Sequence, residues 1–216
     1  MDFLPKAFVV GVFAALPPAA ASSDAINRIW MQLSRRMGYR QLVQGGEGGA
    51  QFITSPEDAL VITPPLIQFR HPATLGFANA ADDAQVCLKT VGEHLGSPEL
   101  SNLGIKHVAW WPAQQKDARA FVQNQLLPGA GADLPDLARG GDGWVGVKYG
   151  IDGPDSARTT LVIEPLMADN SFVFVDLDVQ HPGVVDLDRI TDRTADSERY
   201  LSDTVQPYLE RAAPPA

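Results

Sequence analysis

The sequence predicts an α+β fold in which an antiparallel sheet has its helices packed on one face. Three observations lead to this prediction. Short β-branched and aromatic runs alternate with segments of helical periodicity, and prolines and glycines separate the two kinds of segment. The order strand, helix, three strands, helix then occurs twice along the 216 residues. Tandem β-α-β-β-β-α halves of this kind are typical of a sheet with one covered face.

The first half covers residues 1–103. Its apolar run AFVVGVFAAL, bounded by two prolines, predicts a strand. Ser22–Asp24 offers N-caps for a helix that ends at Gly38. The glycine-rich VQGGEGGAQFIT predicts a hairpin connection, and the half closes with two strands and a helix, ALVIT, LIQFRH and AADDAQVCLKTVGEHLG.

The second half covers residues 104–216 and repeats this order. IKHVAWW predicts a strand, and AQQKDARAFVQNQLL predicts a helix that ends at a Pro-Gly pair. A loop rich in Gly, Asp and Pro follows, from Gly129 to Gly143, and it is long enough to act as a lid. The remaining elements are three strands and a final helical region, GWVGVKYGI, TTLVIEPL, SFVFVDLDV and DRITDRTADSERYLSDTVQPYL.

Two short segments that each occur twice indicate an internal duplication. Leu60–Ile62 recurs as Leu161–Ile163, and His71–Pro72 recurs as His181–Pro182, each about half a chain later. Apolar runs before proline are common, so chance is the alternative explanation. If the halves are duplicated, they form one compact pseudo-two-fold unit with a shared groove at their junction, where ligands often bind.

Composition and charge narrow the possible functions. A formal charge of −9 argues against binding to a phosphate backbone or to anionic lipid. A single cysteine, Cys87, excludes an intrachain disulfide and any site with several cysteines. The N-terminal apolar segment has a weak basic region, so we expect a strand in a cytoplasmic protein rather than a signal peptide.

Several segments together resemble a family of proteins. GYRQLVQGGEGGAQF, PPLIQFRHP, LGIKHVAW, GVKYGI, LVIEPL and FVFVDLDVQHPG are similar to an uncharacterised, sporadically distributed bacterial family, which implies no catalytic residues. The tandem strand–helix–strand–strand rhythm also resembles the gyrase-inhibitor-like effector-binding domains. That resemblance implies a small, often cationic ligand in a cleft between repeats, although the long central loops depart from the pattern.

Strand alternation predicts one candidate site. In SFVFVDLDV, alternate residues share a face, so two aromatic side chains are followed by two carboxylates opposite an aliphatic face. The same reasoning adds residues from three other strands. The predicted ligand-binding residues are Arg70, Trp144, Lys148, Glu164, Phe172, Phe174, Asp176 and Asp178.

The predicted groove suits a cationic or amphipathic ligand, through contact with aromatic rings and pairing with carboxylates. The alternative is a polar face that meets water and pairs its own charges. Asp176, Asp178 and His181 could form a metal site, but the histidine precedes a proline at a strand end, so we expect no metal and no cofactor. No nucleophile elbow, zinc-protease or phosphate-loop motif occurs.

The sequence therefore predicts a non-enzymatic binding protein for a small molecule or a peptide segment. Two alternatives remain. One is an assembly, inhibitor or partner protein that pairs through exposed strands, as a homodimer or with another protein. The other is an enzyme in which Asp176 and Asp178 act as acid and base.

Overall fold

The computed structural model describes residues 2–16, 21–113, 117–127, 143–153 and 156–213. Over these residues the chain forms one nine-stranded sheet in which all neighbouring strands are antiparallel. Helices pack against one face of this sheet, so the predicted α+β class is confirmed. The loop residues 129–142, considered above as a lid, lie outside the described residues.

The strands, in chain order, are β1 Leu4–Ala14, β2 Gln41–Gln44, β3 Ala50–Ser55, β4 Asp58–Thr63, β5 Leu66–His71, β6 Leu100–Pro112, β7 Val147–Asp152, β8 Arg158–Pro165 and β9 Phe172–Val184. The helices are α1 Ser23–Met37, α2 Phe77–His94, α3 Ala118–Phe121, α4 Ile190–Tyr200 and α5 Gln206–Ala212. Single π-helical turns extend α3 through Val122–Leu126 and join α4 to α5 through Leu201–Val205. Across the sheet the order is β2-β3-β4-β5-β1-β6-β9-β8-β7.

The first half contains one strand more than the sequence predicts. The glycine-rich segment is itself a hairpin, because β2 and β3 pair on either side of it with Gln44 opposite Ala50. Gly48 lies in this turn at a φ of 79°, and a Cβ there would lie 2.9 Å from the Cβ of Ala21. The turn therefore needs glycine both for its backbone conformation and for its close approach to the segment before α1.

Helix α1 begins and ends where the sequence predicts. The Ser22 hydroxyl accepts a hydrogen bond from the backbone N–H of Ala25 at 3.3 Å, and Gly38 ends the helix at a φ of 72°. The apolar residues of its inner face are buried, and Trp30 stacks on Phe52 with ring centroids 6.0 Å apart.

The covered face of the sheet forms the core. Phe8 of β1 lies 6.2 Å from Phe77 of α2, and Trp111 of β6 lies 5.4 Å from Phe121 of α3, both between ring centroids. Trp111 is fully buried, whereas Trp110 is only partly buried and belongs to the opposite face. These neighbouring indoles therefore point to opposite faces of the sheet, as alternation along a strand requires.

The two halves meet at the centre of the sheet, where β1 pairs with β6. Val9 lies opposite Lys106, and the flanking pairs are Phe8 with His107 and Val10 with Ile105.

The two pairs of repeated segments do not occupy equivalent positions in the sheet. Leu60 is opposite Phe69, two residues before His71, whereas Leu161 is opposite Leu177, four residues before His181. If the two strand pairs are superposed so that Leu60 matches Leu161, His71 and His181 are therefore two residues apart along their strands. The duplication itself stays a prediction, and so do the domain limits drawn from it.

The helix predicted over AQQKDARAFVQNQLL is shorter in the structure than its sequence pattern. Asp117 caps α3 by accepting a hydrogen bond from the N–H of Ala120 at 2.9 Å, and residues 114–116 lie outside the described residues. None of the helices in the described ranges is long and apolar enough to cross a membrane.

Candidate functional site

The sheet face opposite the helices, here called the open face, carries the candidate site. In β9 the residues of this face are partly exposed, whereas the alternate residues from Val173 to Val179 are buried against the helices. The alternation predicted for this strand is therefore confirmed. It places Phe172, Phe174, Asp176 and Asp178 on the open face.

A depression of about 300 Å³ lies at the middle of the open face, on the central strands β1 and β6. Gly11 and Gly104 are directly paired across these strands, so no side chain rises from the floor at this point. We call this feature the central depression. Its walls are formed by Val9, Phe13, Leu66, Gln68, Arg70, Asn102, Lys106, Asp178 and Gln180.

The absence of a side chain at Gly104 makes room for Gln180. A Cβ at Gly104 would lie 2.8 Å from Nε2 of Gln180, so the amide occupies the space that any other residue would fill. The same Nε2 donates a hydrogen bond to Oδ1 of Asp178 at 2.5 Å. This amide therefore holds the carboxylate along one wall of the central depression.

Lys106 forms the second polar wall. Its ammonium group donates to Oδ2 of Asp176 at 2.8 Å, and the two side chains are 37% and 18% exposed. The other carboxylate oxygen of Asp176 is buried and has no hydrogen-bond partner among the described residues. Lys106 thus neutralises the carboxylate that β9 places beside the depression.

Arg70 forms the third polar wall and is exposed. Its Nε donates to Oε1 of Gln68 at 2.7 Å, which fixes the orientation of the guanidinium group. Within the described part of the chain, its terminal nitrogens have no hydrogen-bond or ion-pair partner. Those nitrogens are therefore available to an acceptor from outside the protein.

Seven of the eight predicted site residues lie on four strands, β5, β7, β8 and β9, which span a width of six strands in the sheet. Arg70 on β5 and Asp178 on β9 both line the central depression. Glu164 lies opposite Phe174, and Lys148 lies opposite Val162 on the edge strand β7. Five strand spacings separate β5 from β7, about 24 Å. One small ligand therefore cannot touch the whole predicted set.

Trp144 requires a correction. The sequence predicts one strand through GWVGVKYGI, with this indole on the same face as Lys148. The strand begins only at Val147, so Trp144 precedes it and the alternation does not apply there. Gly146, which β-strands disfavour, lies immediately before the strand.

The aromatic residues of the open face form a separate cluster. Trp110 and Phe172 have ring centroids 5.6 Å apart, and the Lys6 ammonium lies 4.1 Å from the centroid of the Trp110 indole. This cluster is near the start of β9, whereas Asp178 and the central depression lie towards its end. The aromatic and polar parts of the predicted groove are thus separated along the strands.

A second depression of about 640 Å³ adjoins the central one. The two share Phe13, Asn102 and Gln180. The second depression extends towards Arg158 and His181, and the His181 ring contacts Arg193 at 2.5 Å. No group of three potential metal ligands occurs within the described ranges.

Sequence reasoning missed Lys106, Gln180 and the paired glycines. Lys106 could have been found, because alternation in IKHVAWW places it on the same face as Trp110. The glycines could not, since Gly11 and Gly104 become neighbours only through the pairing of β1 with β6.

Comparison with protein-family models and with curated proteins gives no match. The resemblances described from the sequence therefore stay predictions, and the arrangement of side chains is the basis for the function proposed below.

Proposed function

We propose that the protein is a non-enzymatic binding protein whose ligand, a small molecule or a peptide segment, occupies the open face where the two halves meet. The observation that supports this most strongly is the central depression, with paired Gly11 and Gly104 as its floor. Charged and amide side chains surround a concave, partly apolar surface, as is typical of ligand sites. Its volume of about 300 Å³ is at the lower end of the range for small-ligand pockets.

The polar groups here are arranged for recognition rather than for acid–base chemistry. Each of the two candidate catalytic carboxylates already has a donor, Lys106 for Asp176 and Gln180 for Asp178. A general acid and a general base would need access to the reacting group of the substrate. The enzyme alternative therefore has less support than binding.

Native mass spectrometry of the full chain, purified from its own host, tests the proposal. We expect a bound small molecule or peptide that is released when the protein is denatured. Gly11→Val is the informative variant, because a Cβ at Gly11 makes an ordinary 3.6 Å contact with Leu66. The variant should fold, and its added side chain should project from the floor into the central depression and reduce ligand occupancy about tenfold or more.

Gly150→Val is the matched control. Gly150 lies opposite Thr160 on the edge strand β7, on the open face, and a Cβ there meets no atom within 4 Å. This variant should keep the ligand. Retention of the ligand by Gly11→Val, or equal loss in both variants, would place the binding site elsewhere.

An assembly role is the second candidate. In β7, every residue after Val147 is exposed, including Tyr149 and Ile151, and the strand pairs only with β8 among the described strands. Such an edge can add a strand from another chain. A dimer or hetero-complex without a small ligand, disrupted by Ile151→Pro, would favour this role over the pocket.

A further inference from the structure

We propose that the central depression binds a small amphipathic carboxylate, with its acidic head at Arg70 and its apolar tail towards Phe13 and Leu66. This inference rests on the proposed binding function and narrows the class of ligand. It follows from how polarity changes along the depression from one end to the other.

The head-group end is formed by Arg70. Gln68 orients the guanidinium group through the 2.7 Å bond to Nε and leaves the terminal nitrogens without a partner among the described residues. A guanidinium group with free terminal nitrogens matches the two oxygens of a carboxylate. Lys106 is two strands away from Arg70, on the other side of Val9, but its charge is already paired with Asp176. Arg70 is therefore the group that an anion would contact.

The tail end is formed by two apolar side chains. Phe13 and Leu66 are directly paired across β1 and β5, and Phe13 is 43% exposed. Leu66 lies four residues before Arg70 on the same strand and face, a distance of about 13 Å. Gly11 lies between these two ends and contributes no side chain to the floor. The Gln180 amide covers Gly104, so an extended chain would cross the floor over Gly11, beside that amide.

Other classes of ligand fit less well to a depression that is polar at Arg70 and apolar at Phe13 and Leu66. The carboxylate of Asp178, which a cation would need, is held by the Gln180 amide, and Asp176 is paired with Lys106. A wholly apolar ligand would cover the Arg70 guanidinium without a counter-charge, and that desolvation is unfavourable. The lining contains two cationic side chains and one carboxylate, although the whole chain has a formal charge of −9. Because Lys106 is paired with Asp176 and the Asp178 carboxylate accepts from the Gln180 amide, the Arg70 guanidinium is the charged group of the lining that is open to a ligand, and it favours an anion.

Isothermal titration calorimetry of the full chain at low ionic strength, with octanoate as the probe, tests the inference. Octanoate should bind, and hexanoate should bind roughly three- to fifteenfold more weakly because two methylenes leave the apolar end. Octanol and octylammonium should each bind about tenfold more weakly or worse. The neutral hydroxyl of octanol has one oxygen and no charge to match the guanidinium group, and the ammonium group has no acceptor at all.

Two variants locate the binding. Arg70→Gln should weaken octanoate binding about tenfold or more, and Gly11→Val should abolish it. Arg28→Gln is the control for the change in charge, because Arg28 is exposed on α1, which packs on the covered face. Circular dichroism would verify that all three variants are folded.

The outcomes separate this inference from the proposed function. Three results would overturn the carboxylate assignment. They are a failure of octanoate to bind, equal effects of Arg70→Gln and Arg28→Gln on its affinity, and an affinity that does not depend on chain length. If the host protein nevertheless retained a ligand that Gly11→Val removed, the binding function would stand with a different ligand class. If that ligand were absent as well, both proposals would fail.

Discussion

His107 is a fully buried histidine on the covered face of β6, beneath α2. Its ring meets Phe77 and Phe8 edge-on, with centroids 4.5 and 5.4 Å away. Neither ring nitrogen has a hydrogen-bond partner among the described residues. Burial disfavours the charged imidazolium and lowers the pKa of His107 to about 3.

This histidine should make the protein less stable in acid. The unfolded histidine has a pKa of about 6.5, so the unfolded state binds more protons as the pH falls from about 6.5 towards 3, and stability decreases over that window. Between about pH 7.5 and pH 5 we expect His107 to contribute a loss of about 2 kcal/mol in the free energy of unfolding. Urea titrations at both pH values should give a smaller loss for His107→Phe than for the wild type.

His94→Gln is the control for that measurement. His94 is partly exposed near the end of α2, where its Nε2 lies 2.9 Å from Oε1 of Gln32. Its replacement should leave most of the acid sensitivity in place. An unchanged pH dependence in His107→Phe would show that another group is responsible.

Among the elements, β9 is the one whose orientation the sequence predicts best. Alternation from Phe172 to Val179 assigns every side chain to a face, because one face of the strand is aliphatic throughout. The strand predicted through GWVGVKYGI is longer than β7, which begins at Val147, so Trp144 precedes the strand and alternation does not assign its face. The central depression depends on pairing between distant strands, which no local pattern specifies.

Helix α1 provides a test at this scale. Ser22→Ala removes the side-chain acceptor for the N–H of Ala25, and we expect the free energy of unfolding to fall by about 1 kcal/mol. Ser23→Ala, one residue further on and equally exposed, should change it much less because Ser23 is already the first helical residue. Equal effects in urea unfolding would mean that the cap contributes nothing measurable.

At the scale of the molecule, β1 joins the two halves through its pairing with β5 on one side and β6 on the other. The buried residues of both halves belong to one continuous core. The sequence predicts two similar halves in one compact unit, but it does not indicate which strands become neighbours at their junction.

We therefore expect the two halves to unfold in one transition. Cys87 on α2 reports on the first half, because it is buried and its burial raises the thiol pKa to about 12, which prevents labelling until the protein unfolds. Tryptophan fluorescence reports mainly on the second half, which contains Trp110, Trp111 and Trp144. Both probes should give the same urea midpoint, and two separate midpoints would indicate independent domains.

The position of β1 also has a consequence for synthesis on the ribosome. This strand precedes both of its partners in the chain, and β6 follows only after the whole first half. Until β6 emerges, one edge of an apolar central strand is unpaired and can capture a strand from another nascent chain. The time between the emergence of β1 and that of β6 is thus when the growing polypeptide most needs protection by chaperones.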